Sequence, residues 1–241
     1  MRRERLASAL AFGAAAGFVA RRLRRRPPSP AAVLHGSDLV TREQQALPAT
    51  LRPHLRALFM KDPYLEGHSR RVALLATQMA EQLGLSPTRT ATLAKAGLLH
   101  DIGKLSVPGP ILAKPGPLDE EEFEVVRLHP VTGEQLLAEQ AVDPAVRRLV
   151  LDHHERLDGS GYPRGRSGEE LDLDTRILSA CDVYDALISR RVYRPAWTPE
   201  QALRLLEEEA YEEVLDSRCV AALERVLERE YGLSLPVAVP V

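Results

Sequence analysis

Cysteine is scarce: the 241 residues hold two, Cys181 and Cys219. Two thiols make no disulfide framework, and their spacing fits no zinc finger. They suit a reducing compartment and read as small buried hydrophobes. Net charge is scarce as well. Thirty-two lysines and arginines against 34 aspartates and glutamates leave −2, which argues against a general binder of DNA or RNA. Strand signals are almost absent from about residue 50 onward, and no internal repeat appears, which excludes all-β and solenoid architectures. Long hydrophobic runs are missing too. The uncharged stretch Leu6–Ala20 has fifteen residues, short of the roughly 20 that a helical membrane span needs.

What is present at the N-terminus is a charge asymmetry. Residues 1–30 carry eight arginines and one glutamate, a formal +7, so the remainder is −9. Arginines bracket Leu6–Ala20, and "RRLRRR" directly after it should resist translocation. The segment reads equally as an anchor on the inner face of the cytoplasmic membrane or as a basic tail without fixed structure. Pro27, Pro28 and Pro30 are expected to end any helix there and to begin a linker over residues 31–48.

Apolar residues make up 44% of the chain, enough for a sizeable core. "HSRRVALLATQMAEQLGL" places apolar side chains at 72, 75, 76, 79, 80 and 83, a helical stripe that Gly84 closes. Ser86-Pro87 opens the next helix, which runs through "RTATLAKAGLLHD". Further helices are expected over "LDEEEFEVVRLHPVTGEQLLAEQ", "DPAVRRLVLDHHERL", "DTRILSACDVYDALISRR", "TPEQALRLLEEEA" and residues 216–230. The domain therefore reads as an all-α bundle over residues 49–236, followed by a tail at 237–241. Two stretches rich in glycine and proline interrupt it: "GKLSVPGPILAKPGP" and "LDGSGYPRGRSGEE".

Five of the seven histidines lie within or at the ends of the expected helices: His68, His100, His129, His153 and His154. Taken singly, each reads as an ordinary surface or core histidine, as His35 and His54 do. Together with Asp101 and Asp182 they read differently. A buried carboxylate without a partner is costly, and Asp182 sits in an otherwise apolar stripe. Adjacent residues on a helix point about 100° apart, so His100-Asp101 and His153-His154 can each grip one ion from two sides or reach two ions. Nitrogen and oxygen donors without thiolate suit Mn, Fe, Zn, Co or Ni. Two such ions can activate water against a phosphoester.

"HDIGK" at 100–104, "KPGPL" at 114–118, "HP..G" at 129–133, "HHERLDGSGYP" at 153–163 and "D.YDAL" at 182–187 resemble, in this order, the HD-GYP domain, from about Tyr64 to Ala210. This is a branch of the HD phosphohydrolases that acts on cyclic di-GMP. The resemblance implies an HD-type helical bundle with a metal site in its core and an extended Gly/Pro-rich loop. It implies His68, His100, Asp101, His129, His153, His154 and Asp182 as ligands of two divalent ions, with Fe or Mn favoured. Where some members place a glutamate that helps to hold a third metal, this chain has Tyr64, so two metals are expected. Glu66 is expected to point to another face.

The resemblance also implies that Tyr162 lies beside the substrate and that Arg191 and Arg194 contact phosphate or guanine, with Arg190 on the surface. Lys104 is expected to reach a phosphate near the metals. Asp185 is expected to support a metal ligand or, less simply, to protonate a leaving group. Glu155 and Asp158 read equally as orienters of the ligands or as a surface cluster. The expected activity is metal-dependent hydrolysis of cyclic di-GMP to pGpG and on to GMP. The rivals are a non-hydrolysing cyclic di-GMP receptor and a hydrolase for another nucleotide. The roughly 60 residues ahead of the domain hold no receiver or cyclase pattern. Control is therefore expected to come from location, expression or partners.

Overall fold

The computed structural model describes residues 30–189 and 195–232. Among them are eleven α-helices: α1 (Pro30–Gln45), α2 (Arg52–Lys61), α3 (Tyr64–Gln82), α4 (Pro87–Leu99), the single turn α5 (Gly109–Leu112), α6 (Glu120–Arg127), α7 (His129–Glu139), α8 (Pro144–Asp152), α9 (Leu173–Ile188), α10 (Pro199–Tyr211) and α11 (Ser217–Tyr231). Short 3₁₀ segments lie at Ala49–Leu51, Ile102–Ser106 and Gly168–Glu170, and no strand occurs among the described residues. The expected all-α bundle is what forms. No helix among the described residues is long and apolar enough to cross a membrane. Leu6–Ala20 and the 237–241 tail lie outside the described residues.

Most boundaries follow local chemistry. Side chains of Ser86, Asp119, Asp143, Asp172, Thr198 and Asp216 each accept a backbone N–H at the start of a helix, satisfying donors that have no partner within the helix. Gly84, with φ +69, lets the chain leave α3 through a left-handed turn.

Three expectations need correction. Residues 31–48 are not a linker throughout, because α1 occupies Pro30–Gln45. Pro30 sits where a missing N–H costs nothing, Val40 and Leu47 are buried, and Glu43 pairs with Lys95 of α4 at 3.2 Å. Residues 118–140 form two helices rather than one. Pro130 cannot donate to the preceding turn and crowds it, so α6 stops at Arg127 and α7 restarts at His129. The helix over 143–157 stops at Asp152, which puts His153 and His154 at its C-terminal end.

One continuous core joins α3 (Val72, Ala76, Met79), α4 (Leu93, Ala96), α9 (Ile177, Leu178, Tyr184), α10 (Leu203, Leu206) and α11 (Leu223, Val226). Cys181 and Cys219 are free, buried thiols within it. One close approach of two helices matters for function. A Cβ on Gly97 would lie 2.5 Å from Ala73 Cα, so α3 and α4 meet backbone to backbone just below His68 and His100.

Candidate metal centre

Each metal-ligand candidate is delivered by a helix or by the end of one. His68 projects from α3, and the α3–α4 contact brings it to His100, the C-cap of α4. Asp101 follows and leads into the 3₁₀ segment Ile102–Ser106. That segment presses on the start of α7: a Cβ on Gly103 would sit 1.9 Å from the His129 carbonyl oxygen. His129 opens α7, His153 caps α8, and Asp182 lies midway along α9. The break at Pro130 is therefore what turns His129 inward.

The imidazoles are oriented by their outer nitrogens. His100, His129 and His153 donate Nδ1–H to the carbonyls of Gly97, Val126 and Val150, at 2.9, 2.8 and 2.7 Å. Each bond reaches three residues back and satisfies a carbonyl of a helix's last turn. His68 donates Nδ1–H to Asp185 Oδ2 at 2.7 Å. With Nδ1 committed as donor, each ring turns a bare Nε2 inward.

Those bare nitrogens meet in pairs. Nε2 of His68 lies 3.2 Å from Nε2 of His100, and Nε2 of His129 lies 3.2 Å from Nε2 of His153. Two lone pairs at that separation repel, so each pair is suited to share a cation between its nitrogens. Asp101 divides its oxygens between them. Its Oδ2 is 3.7 and 3.5 Å from the His68 and His100 nitrogens, and its Oδ1 is 3.4 Å from His129 Nε2. Oδ1 is buried and accepts no well-directed hydrogen bond, although the Lys104 ammonium stands 2.8 Å away. Asp182 spans the same gap, with Oδ1 3.1 Å from His68 Nε2 and Oδ2 3.7 Å from His154 Nδ1. The donor atoms of Asp101, His129, His153 and His154 lie within 4.8 Å of one another, as do those of His68, His100 and Asp101. This set of buried nitrogen and oxygen donors fits divalent cations.

The electrostatics agree. Burial and the Lys104 charge lower the His129 pKa to about 4. Burial and neighbouring imidazoles hold His153 and His154 well below the ordinary value. Burial opposes ionisation of Asp101 and Asp182. The Lys104 charge and the surrounding histidines outweigh it at Asp101, as the close His100 and His68 rings do at Asp182, so both stay well below the usual carboxylate range. His100 is the exception: burial lowers its pKa, but Asp101 and Asp182 raise it overall. Neutral imidazoles beside ionised carboxylates are the protonation states that metal binding requires.

Asp185 lies behind His68, with no exposed surface. Arg71 grips it with Nε at 2.6 Å and Nη2 at 3.0 Å, and Arg71 also donates to Ser189 Oγ at 2.9 Å. Burial raises the Asp185 pKa, but bonds from His68 and Arg71 lower it further. An ionised, enclosed carboxylate has no proton to give, so this arrangement argues against leaving-group protonation by Asp185. Tyr64 stacks on His68 at 5.3 Å and places its hydroxyl 3.3 Å from Nδ1. Glu66 is exposed, as expected. Lys104 is bound to Asp101 rather than standing free.

The second Gly/Pro-rich loop folds back over the end of α8. Tyr162 N–H donates to the His154 carbonyl at 3.2 Å. A Cβ on Gly161 would lie 2.5 Å from Arg156 N, Glu155 Cα and His154 O, so no other residue fits there. Glu155 turns away from the metal donors and receives the backbone N–H groups of Arg164 and Arg166 at 2.7 and 2.9 Å. Asp158 receives Ser160 N–H at 2.9 Å and shapes the same loop. Asp152 pairs with Arg164. The Tyr162 ring lies 4.7 Å from His154 and 6.4 Å from His129.

Arg190, Arg191 and Arg194 lie outside the described residues. Several contributors were not foreseen. Arg71 holds Asp185. Buried Arg156 donates to Ser179 Oγ at 2.6 Å and to the Glu155 carbonyl at 2.9 Å. Phe123 and Arg127 of α6 surround Tyr162. Their only sequence signal was arginine or phenylalanine on a helix, which a solvated face also produces.

Residues 54–219 match the HD domain family. Over 167 residues the chain is 44% identical to the 3'3'-cGAMP-specific phosphodiesterase 3 of Vibrio cholerae, covering 69% of this chain and 36% of that one. It is 41% identical over 181 residues to a cyclic di-GMP phosphodiesterase of Pseudomonas aeruginosa, covering 72% and 43%. The cyclic di-GMP phosphodiesterase response regulator RpfG of Xanthomonas campestris is 40% identical, with coverage of 73% and 47%. The chain thus spans less than half the length of these curated relatives. Among solved structures, an HDG"Y"P protein from Bdellovibrio bacteriovorus superposes with a TM-score of 0.60 at 20% identity, covering 82% of this chain and 64% of that one. The L. monocytogenes phosphodiesterase PgpH HD domain in complex with cyclic-di-AMP gives 0.57 at 16% identity, covering 77% and 100%. At such identities the likeness is one of fold.

Proposed function

The chain belongs to the HD domain family and carries the HDIGK and GYP motifs of its HD-GYP branch; on that premise we propose that it is a metal-dependent phosphodiesterase that opens the ring of a cyclic dinucleotide. The observation that carries the reading is the double set of inward donors sharing Asp101. In this reading His68, His100, Asp101 and Asp182 hold one divalent ion, Fe or Mn, and Asp101, His129, His153 and His154 hold the other. When bound, the ions supply activation of water and neutralisation of charge on the phosphate.

The protein's own groups do the rest. Arg71 and Asp185 keep the His68 ring in place and its Nε2 bare. The carbonyls of Gly97, Val126 and Val150 do the same for His100, His129 and His153. Lys104, poised on Asp101, offers positive charge as negative charge builds on the reacting phosphate. Tyr162 forms the wall beside His154 against which the substrate packs, and Arg191 and Arg194 contact phosphate or guanine. Cyclic di-GMP is the proposed substrate, opened to pGpG and cut again to GMP. The 44% identity to a 3'3'-cGAMP-specific enzyme favours that dinucleotide as the second reading.

Purified protein incubated with cyclic di-GMP, 3'3'-cGAMP and cyclic di-AMP, with products separated by chromatography, tests the proposal. Turnover that a chelator abolishes and Mn or Fe restores is expected. Tight binding without any product would replace the hydrolase with a receptor.

A further inference from the structure

We infer that Arg127 is a specificity-determining residue, whose guanidinium edge reads the O6 and N7 acceptors of a guanine held beside Tyr162. The inference rests on the cyclic-dinucleotide reading above and adds the base that the site selects. Arg127 closes α6 with its Cζ 5.5 Å from the Tyr162 ring centre and 5.9 Å from that of Phe123. The two rings stand 6.1 Å apart at 81°. A guanidinium resting on aromatic faces is fixed in plane by cation–π attraction, while its edge stays free for hydrogen bonds.

That edge is largely unused. The one side-chain hydrogen bond of Arg127 among the described residues runs from Nη1 to Glu124 Oε1 at 2.6 Å. With side chains 37% and 59% exposed, this pair contributes little to stability. Nε and Nη2 remain available. The Tyr162 ring is itself 4.7 Å from His154, so Arg127 stands one ring beyond the metal donors. The α6 platform is pinned by the Asp119–Glu122 capping box and by the Lys114–Glu122 pair, so the fork is placed before substrate arrives.

Two parallel N–H donors match guanine, which presents N7 and O6 as acceptors. They mismatch adenine, which presents N7 and an N6 donor. Lysine would keep the charge without the fork, and glutamine would suit adenine instead.

The test is steady-state kinetics of the metal-loaded full chain on cyclic di-GMP, 3'3'-cGAMP, cyclic di-AMP and bis(p-nitrophenyl) phosphate, which carries no purine. Wild type is compared with Arg127→Lys and Arg127→Gln, with metal content measured in each. Both variants should lose about ten- to a hundredfold in kcat/KM on cyclic di-GMP. Arg127→Gln should hold or gain on cyclic di-AMP, with the mixed dinucleotide falling between the two, and any loss on bis(p-nitrophenyl) phosphate should be smaller than the loss on cyclic di-GMP, with equal metal in all three proteins. If the dinucleotides bind without cleavage, the same ratios are read from Kd. Cyclic di-GMP turnover with unchanged base preference in Arg127→Gln, or equal losses on all four substrates, overturns this inference alone. A wild type that neither binds nor cleaves any of the three dinucleotides overturns the parent reading and this inference with it.

Discussion

Gly161→Ala should loosen the loop that carries Tyr162 while the side-chain metal donors keep their places. The added methyl would meet Arg156 N, Glu155 Cα and His154 O, each at 2.5 Å. All three are backbone atoms at the end of α8, so no side chain can swing aside and the loop itself must lift. Forcing one methyl into packed surroundings costs about 1–3 kcal/mol. Lifting the loop also breaks the Tyr162 N–H bond to the His154 carbonyl, worth about 0.5–1.5 kcal/mol. The two costs do not add, because the movement that breaks the bond relieves the overlap. A net loss of about 1–3 kcal/mol lowers Tm by roughly 2–12 °C for a chain of this size.

The larger effect falls on turnover. A displacement of the Tyr162 ring from His154 by about 1 Å can cost up to a hundredfold in kcat/KM. Thermal denaturation, kinetics and metal analysis on one preparation measure all three quantities. Gly116→Ala is the control, since nothing lies within 4 Å of a Cβ there, and it should match wild type. Gly161→Ala with wild-type Tm and kcat/KM, or with its metals lost, would refute the reasoning.

Three further outcomes are expected. Lys104→Ala should lower kcat more than it changes KM and should retain both metals, because its charge is most useful as negative charge builds in the transition state; kinetics with metal analysis checks it, and a change in KM alone would contradict it. Removing residues 1–30 should leave catalysis intact, and fractionation of tagged full-length and truncated chains separates the two readings of that segment: an anchor requires that only the truncated chain be soluble, and a wholly soluble full-length chain would reject it. Burial raises the Asp216 pKa, but bonds from Arg218 and Arg176 and the Arg218 backbone N–H hold it below the ordinary value. Its contribution is therefore fully present above the unfolded pKa of about 3.9 and is lost as pH falls through the lower folded value. The stability gap between wild type and Asp216→Asn, from chemical denaturation, should shrink with acid and stay constant at neutral pH.

The helices were legible because apolar spacing and capping residues state them directly, as at Ser86 and Thr198. The ends were less so. Nothing in the spacing of 118–140 changes at Pro130, and only the geometry of a missing N–H divides the segment. α1 was hidden by the prolines ahead of it, though Val40 marks its buried side. The seven metal-donor candidates were legible through the order of their motifs, and the structure brings all seven together. Its supports were not: Arg71 and Arg127 each look like a charge on a solvated helix until the carboxylate or ring they touch is seen. Glu155 was ambiguous for a related reason, since its partners are backbone amides of the following loop.

The most direct measurement is anomalous diffraction from crystals of the metal-loaded protein. The account predicts two peaks about 3.5–4 Å apart, bridged by Asp101, with His68, His100 and Asp182 on one and His129, His153 and His154 on the other. A single peak, a third fully occupied peak near Tyr64, or a pair that Asp101 does not join would contradict it.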